Sequence, residues 1–85
     1  MELYLLTVIK ESEFQPTDHM SWLYSSFDSA LAHYSTEVDA AREAHGYIDR
    51  REDEVATEHY RYYEIYNEYD VERTVVTIEK KILND

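Results

Sequence analysis

The residues Phe27, Ala30, Leu31, Tyr34, Val38, Ala41, His45 and Ile48 recur every three or four positions, while Asp28, Glu37, Asp39, Arg42 and Glu43 fall mostly off that stripe. Such spacing gives a helix one apolar face that has to be buried and one face that stays in water. Ser25 and Ser26 stand just before Phe27, where their hydroxyls can accept first-turn amides, and Asp28 suits the positive end of the helix dipole. A helix therefore begins at residue 27. Gly46, the sole glycine, sits where a left-handed cap would end it near residue 45. The three-four spacing nevertheless continues through Ile48, Glu52 and Val55, so the alternative is a kinked helix running to about residue 57.

The flanking segments read as strands. Leu3, Tyr4, Leu5, Leu6, Val8 and Ile9 form a nearly continuous apolar run, which predicts an interior strand with both faces at least partly covered. Glu11 to His19 holds the only proline, Pro16, among polar residues and reads as a loop. Met20-Ser21-Trp22-Leu23-Tyr24 is a candidate second strand. From Glu58 to Tyr69 the residues alternate, with Tyr63 and Ile65 on one parity and Tyr60, Tyr62, Glu64, Tyr66 and Glu68 on the other, as in a strand. Asn67 to Asp70 supplies turn residues, and Val71 to Leu83 is β-rich, so the two runs predict a long antiparallel hairpin. The expected fold is α+β: an antiparallel sheet of three to four strands in the order β-(β)-α-β-β, with one main helix packed on one face.

Residues 1–85 make one domain, since a chain of this length has no room for a second core. The absence of cysteine excludes disulfides, thiolate metal sites, iron-sulfur clusters and cysteine nucleophiles. A single glycine excludes a glycine-rich phosphate loop. Met1-Glu2-Leu3-Tyr4 lacks the basic start of a signal peptide and no run reaches the roughly 20 apolar residues of a membrane span, so a cytoplasmic protein without membrane contact is expected.

Nineteen acids against eight lysines and arginines leave a net charge of −11. That balance opposes direct binding to nucleic acid or to an anionic membrane and favours a basic protein partner. On the expected sheet, one helix covers one face and leaves the other bare. The parity Glu58, Tyr60, Tyr62, Glu64, Tyr66, Glu68 then points away from the helix, placing carboxylates and flat rings about 6.8 Å apart along one strand. Charge and shape in that row are similar to phosphates beside bases, and tyrosine offers rigid contact area with a hydroxyl at its tip. The candidate partner-binding residues are Tyr60, Tyr62, Glu64, Tyr66, Glu68, Asp70 and Glu72. Asp49, Glu52, Asp53 and Glu54 form a secondary acidic patch, read either as added attraction for a basic partner or as a solvated helix face with pairs such as Arg50 and Glu54. The bland reading of the tyrosines is that they are good strand residues and that the acids keep the sheet soluble.

Catalytic and metal chemistry lack a motif. His33 and Glu37 are spaced to touch on a helix, but zinc sites need three or four ligands and no second pair completes the set. Asp18, His19 and Ser21 are neighbours in sequence without a nucleophile-elbow pattern. His45 reads as a helix-end histidine beside the last carbonyls. No calcium loop occurs. The expectation is a protein that is not an enzyme and requires no cofactor.

The small size, acidity, lack of cysteine and abundance of tyrosine, with Met1-Glu2-Leu3-Tyr4-Leu5-Leu6-Thr7-Val8-Ile9, Ser25-Ser26-Phe27-Asp28-Ser29-Ala30-Leu31 and Tyr60-Arg61-Tyr62-Tyr63-Glu64-Ile65-Tyr66-Asn67-Glu68-Tyr69, resemble phage-encoded inhibitors: anti-CRISPR proteins and other DNA-mimicking inhibitors of nucleic-acid enzymes. The resemblance is one of composition and architecture. It implies a protein of the bacterial host cytoplasm that blocks a basic nucleic-acid channel, such as that of a Cas effector, without catalysis. The alternative is a regulatory or structural interaction module, with a homodimer through the tyrosine-rich face as its form.

Overall fold

In the computed structural model, which describes residues 1–69 and 71–82, the chain order is β1 (Glu2–Ser12), β2 (Gln15–Tyr24), α1 (Phe27–Ala44), β3 (Arg50–Ala56), β4 (Arg61–Asn67) and β5 (Glu72–Ile82). The strands form one five-stranded sheet in the order β2-β1-β5-β4-β3, and every neighbouring pair is antiparallel. The α+β class with one helix on one sheet face holds. The sheet has one strand more than the expected three to four.

Strand β1 lies between β2 and β5, the interior position that its continuous apolar run requires. Tyr4, Leu6 and Val8 are buried under the helix, and Leu3, Leu5, Thr7 and Ile9 are half-buried on the opposite face. The helix is capped by Ser26, whose hydroxyl accepts the Ser29 amide at 3.2 Å. It buries Ala30, Tyr34, Val38 and Ala41 against Leu6, Val8, Tyr63, Ile65, Val76 and Ile78 of the sheet. Two alanines among the four let the helix backbone approach the strands closely. The Tyr34 hydroxyl is buried without a partner among the described residues. Burial, with the Glu54 carboxylate nearby, pushes that phenol up to about 12.

Three expectations are corrected, the first in its cause alone. Of the two helix ends expected, the stop near residue 45 is found and the kinked run to about residue 57 is not: α1 stops at Ala44, and His45 leaves it in an extended conformation (φ −87°, ψ 131°). Gly46 has no positive φ, so the helix end uses no left-handed glycine. The buried His45 side chain fixes it instead. Its Nδ1–H donates to Asn67 Oδ1 at 2.5 Å, and the Thr74 hydroxyl donates to its Nε2 at 2.8 Å. The Asn67 amide donates in turn to the carbonyls of Gly46 (2.6 Å) and Ile48 (3.3 Å), so the chain leaving the helix is tied to the β4–β5 hairpin. Ile48, read as the last residue of the apolar stripe, is exposed.

Second, the acidic run Asp49 to Glu54 is not a helix face: residues 50–56 are edge strand β3. Asp49 turns the chain at φ 53°, which aspartate tolerates. Third, the segment read as a loop is mostly strand. Strand β1 continues through Glu11 and Ser12, and β2 begins at Gln15 and includes Pro16. An edge strand accommodates the proline because its missing amide can face solvent. The β4–β5 hairpin forms as expected, although β4 begins at Arg61 and residues 57–60 make a turn closed by the Thr57 amide on the Tyr60 carbonyl at 3.0 Å.

A candidate protein-binding face

The sheet face opposite the helix is built by strict alternation and by the register of four strand pairs. Tyr62 lies beside Thr77 and Val55, Glu64 beside Val75 and Asp53, and Tyr66 beside Arg73 and Arg51. Ile9 pairs with Val75 and Glu11 with Arg73, which extends two of these rows onto β1. The face is therefore mixed. On its β1–β5 half the apolar Leu5, Ile9 and Val75 stand among the charged Glu11, Arg73 and Glu79, while its β4–β3 half holds Glu64, Asp53, Arg51 and two tyrosine rings.

Within that second half Asp53 and Glu64 are directly opposed across two antiparallel strands, a like-charge arrangement that destabilises a sheet. Glu64 is compensated: Arg73 donates to it at 2.6 Å while reaching Glu11 at 3.2 Å, and the Tyr62 hydroxyl donates to it at 3.1 Å. The bond to Glu64 raises the Arg73 pKa, and burial, followed by Glu64, raises that of the Tyr62 phenol. Asp53 is exposed and has no ion-pair partner among the described residues. The pair sits between Tyr62 and Tyr66, both half-buried.

The residues singled out from sequence are thus partly gathered. Tyr62, Glu64 and Tyr66 share the open face of β4. Tyr60 and Glu68 lie in the turns at its two ends, with Glu68 bonded to Arg51 at 3.1 Å. Glu72 pairs in register with the buried Asn67, which puts it on the helix side, where it lines a cavity of about 230 Å³ with His45, Thr74 and Lys10. Asp70 lies outside the described residues. The secondary acidic patch is divided: Asp53 joins the open face, whereas Glu52 and Glu54 are opposite Ile65 and Tyr63 on the helix side.

Glu52 is held by Arg42 at 3.0 Å, by Arg50 at 3.1 Å and by the Tyr63 hydroxyl. The Tyr63 bond first, then the Arg42 bond, lowers its carboxyl to about 2. Sequence reasoning missed Arg73, Glu11 and Arg51. The register of the β4–β5 hairpin would have found Arg73, because it falls opposite Tyr66.

His33 and Glu37 do touch: Nε2–H donates to the carboxylate at 3.1 Å and the Tyr24 hydroxyl donates to Nδ1 at 2.6 Å. Among the described residues no three His, Asp or Glu side chains are grouped to hold a metal ion, and no helix is long and apolar enough to cross a membrane. Comparisons with protein-family models, curated proteins and solved structures give no match to this chain.

Proposed function

We propose that this chain is a non-catalytic inhibitor whose open sheet face docks on a basic surface of a nucleic-acid-processing protein, with an anti-CRISPR acting on a Cas effector as the leading instance. The observation that carries this reading is the opposed pair Asp53 and Glu64 between Tyr62 and Tyr66, in a chain of net charge −11. Two carboxylates forced together by strand register are stabilised by a lysine or arginine brought from outside. The partner's cation supplies what the fold leaves unmatched, as a charge-assisted hydrogen bond. The flanking rings offer flat surfaces of the kind on which a nucleic-acid channel stacks bases. A second copy of the chain is a poor occupant of this half of the face, because it would bring further carboxylates to the same place.

The test is a pull-down from bacterial lysate at low and moderate salt, followed by competition between the chain and DNA for the recovered protein. Binding should weaken as salt rises. Asp53→Lys should weaken it by about tenfold or more, and the same substitution should raise the unfolding midpoint of the free chain, since it replaces a repulsion by an attraction. Opposite effects on binding and stability mark a surface kept for a partner. Unchanged binding by the Asp53→Lys chain would remove this reading.

A further inference from the structure

Between α1 and β2, on the helix side of the sheet, three side chains form a relay. Trp22 and Tyr24 share one parity of β2, and both meet His33 of α1. The His33 ring stands edge-on to the Trp22 indole with centroids 4.5 Å apart, and to the Tyr24 ring at 5.9 Å. One helical turn on, Glu37 accepts the His33 Nε2–H at 3.1 Å, which leaves Nδ1 as the bare nitrogen, and the Tyr24 hydroxyl donates to Nδ1 at 2.6 Å. A hydroxyl within hydrogen-bond reach of a base, with that base oriented by a third group, is the arrangement that activates a nucleophile. The side chains of His33 and Glu37 keep 22% and 21% of their surface in solvent, so a small molecule can reach the relay.

Among the described residues Tyr24 is the one tyrosine whose hydroxyl is bonded to an imidazole. Tyr62 and Tyr63 donate to the carboxylates of Glu64 and Glu52, and burial first, then those carboxylates, raises both phenols. A carboxylate is about two pKa units less basic than an imidazole, so it takes a phenol's proton less readily. We propose that Tyr24 is a covalent acceptor of acyl groups, with His33 as its general base and Glu37 as the positioning residue that holds the Nε2–H tautomer. The phenol oxygen attacks the carbonyl carbon of an activated ester while its proton passes to His33 Nδ1. The bond from that carbon to the leaving oxygen then breaks, the leaving group keeps the electron pair, and an O-acyl tyrosine remains. Charge selects the donor: a chain at −11 repels polyanionic phosphoryl or nucleotidyl donors and admits a neutral acyl ester. One group is taken per chain, so no turnover is required. The relay lies on the face opposite Asp53 and Glu64 and stands independently of the target-binding reading.

Treating the full chain with p-nitrophenyl acetate and mapping the adducts by peptide mass spectrometry tests it. Tyr24 should be acetylated about tenfold or more faster than the exposed Tyr47 and Tyr69, and Tyr24→Phe should lose that adduct while the lysines react as before. His33→Asn keeps a polar side chain beside Tyr24 but no base of comparable strength, and it should slow Tyr24 acetylation about tenfold or more. Glu37→Gln can still accept the Nε2–H, so at an unchanged urea midpoint a severalfold slower acetylation marks the carboxylate's charge, and a native rate would remove Glu37 from the relay. Nitrogen NMR of the native chain in mildly alkaline buffer needs no variant: His33 should carry its proton on Nε2 and none on Nδ1. Acetylation of Tyr24 no faster than that of Tyr47 and Tyr69 would overturn the proposal. So would a Tyr24 rate that His33→Asn leaves unchanged, or a His33 protonated on Nδ1 alone.

Discussion

Tyr62 and Tyr63 are consecutive in β4, yet they serve two faces built on different physics. Tyr63 is 1% exposed and is packed among aliphatic side chains beneath α1, with its ring under the Arg42 guanidinium at 5.1 Å and its hydroxyl donating to Glu52. Tyr62 has no helix above it and lies half-buried between Thr77 and Val55, with its hydroxyl on Glu64. The covered face is held by apolar area and by shape, since Ala30 and Ala41 let the helix approach. On the open face, charges are matched one by one through Arg73 and Arg51 until Asp53 is left over. A fold can thus keep its stability on one side of a sheet and leave a surface for recognition on the other.

The sharpest test of that division compares the neighbours. Tyr63→Ala should cost about 3–5 kcal/mol, as a large ring removed from a packed core does. Tyr62→Ala should cost about 1 kcal/mol or less. Urea titration at neutral pH measures both, and equal losses would mean that the two faces contribute alike. Next in size is the polar anchor of the covered face. His45→Ala should cost about 2 kcal/mol, because Asn67 Oδ1 loses a buried donor and the Thr74 hydroxyl a buried acceptor. It should also increase hydrogen exchange at the helix C-terminus more than in β1. An unchanged helix end would show that packing alone sets where α1 stops.

Most of the covered face was legible in the sequence because burial imposes a period. The stripe from Phe27 to Ala41, the run Leu3 to Ile9 and the parity of Tyr63 and Ile65 each record which side meets the core. Strand β3 was not legible. It is an edge, mostly exposed and charged from Arg50 to Glu54, so no apolar alternation marks it. Pairing with β4 and the bonds of Glu52 hold it in place. The first half of β2 was hidden for the same reason, with Pro16 reinforcing the loop reading. On the open face the tyrosine row followed from parity alone. The neutralisation of Glu64 did not, because it depends on which residue of β5 falls beside it, and register is a long-range property.

Two smaller effects refine the picture at the rim between the faces. Val71, in the turn joining β4 to β5, has φ 50°, a left-handed conformation that a β-branched side chain adopts only under strain. Val71→Asn should raise stability by about 1 kcal/mol, read as a higher urea midpoint, and a loss would show that Val71 contributes packing that its exposure conceals. Glu52 supplies a pH signature. Its carboxyl titrates near 2 in the folded chain against an ordinary 4.5, so its contribution is fully present above about pH 4.5 and is lost as the pH falls toward 2. The side chain is 38% exposed, and solvent screening limits the effect to below about 1 kcal/mol. The stability difference between the native chain and Glu52→Gln should shrink across that window. A constant difference would mean that the bonds to Tyr63 and Arg42 do not favour the ionised form.

The smallest effect tests how the covered face ends. A glycine following a helix is commonly there because the chain needs a left-handed residue, and replacing such a glycine by alanine costs about 1 kcal/mol. Gly46 does not meet that description: its φ is not positive, and a Cβ placed on it would meet nothing within 4 Å. The turn away from the helix is enforced by His45 and Asn67, which hold the backbone on both sides of residue 46. Gly46→Ala should therefore stabilise the chain slightly, by about 0.5 kcal/mol, through a less flexible unfolded state. The sign of the shift in the urea midpoint is decisive. A rise assigns the end of the helix to the buried histidine, whereas a fall of about 1 kcal/mol would return it to the backbone freedom of glycine.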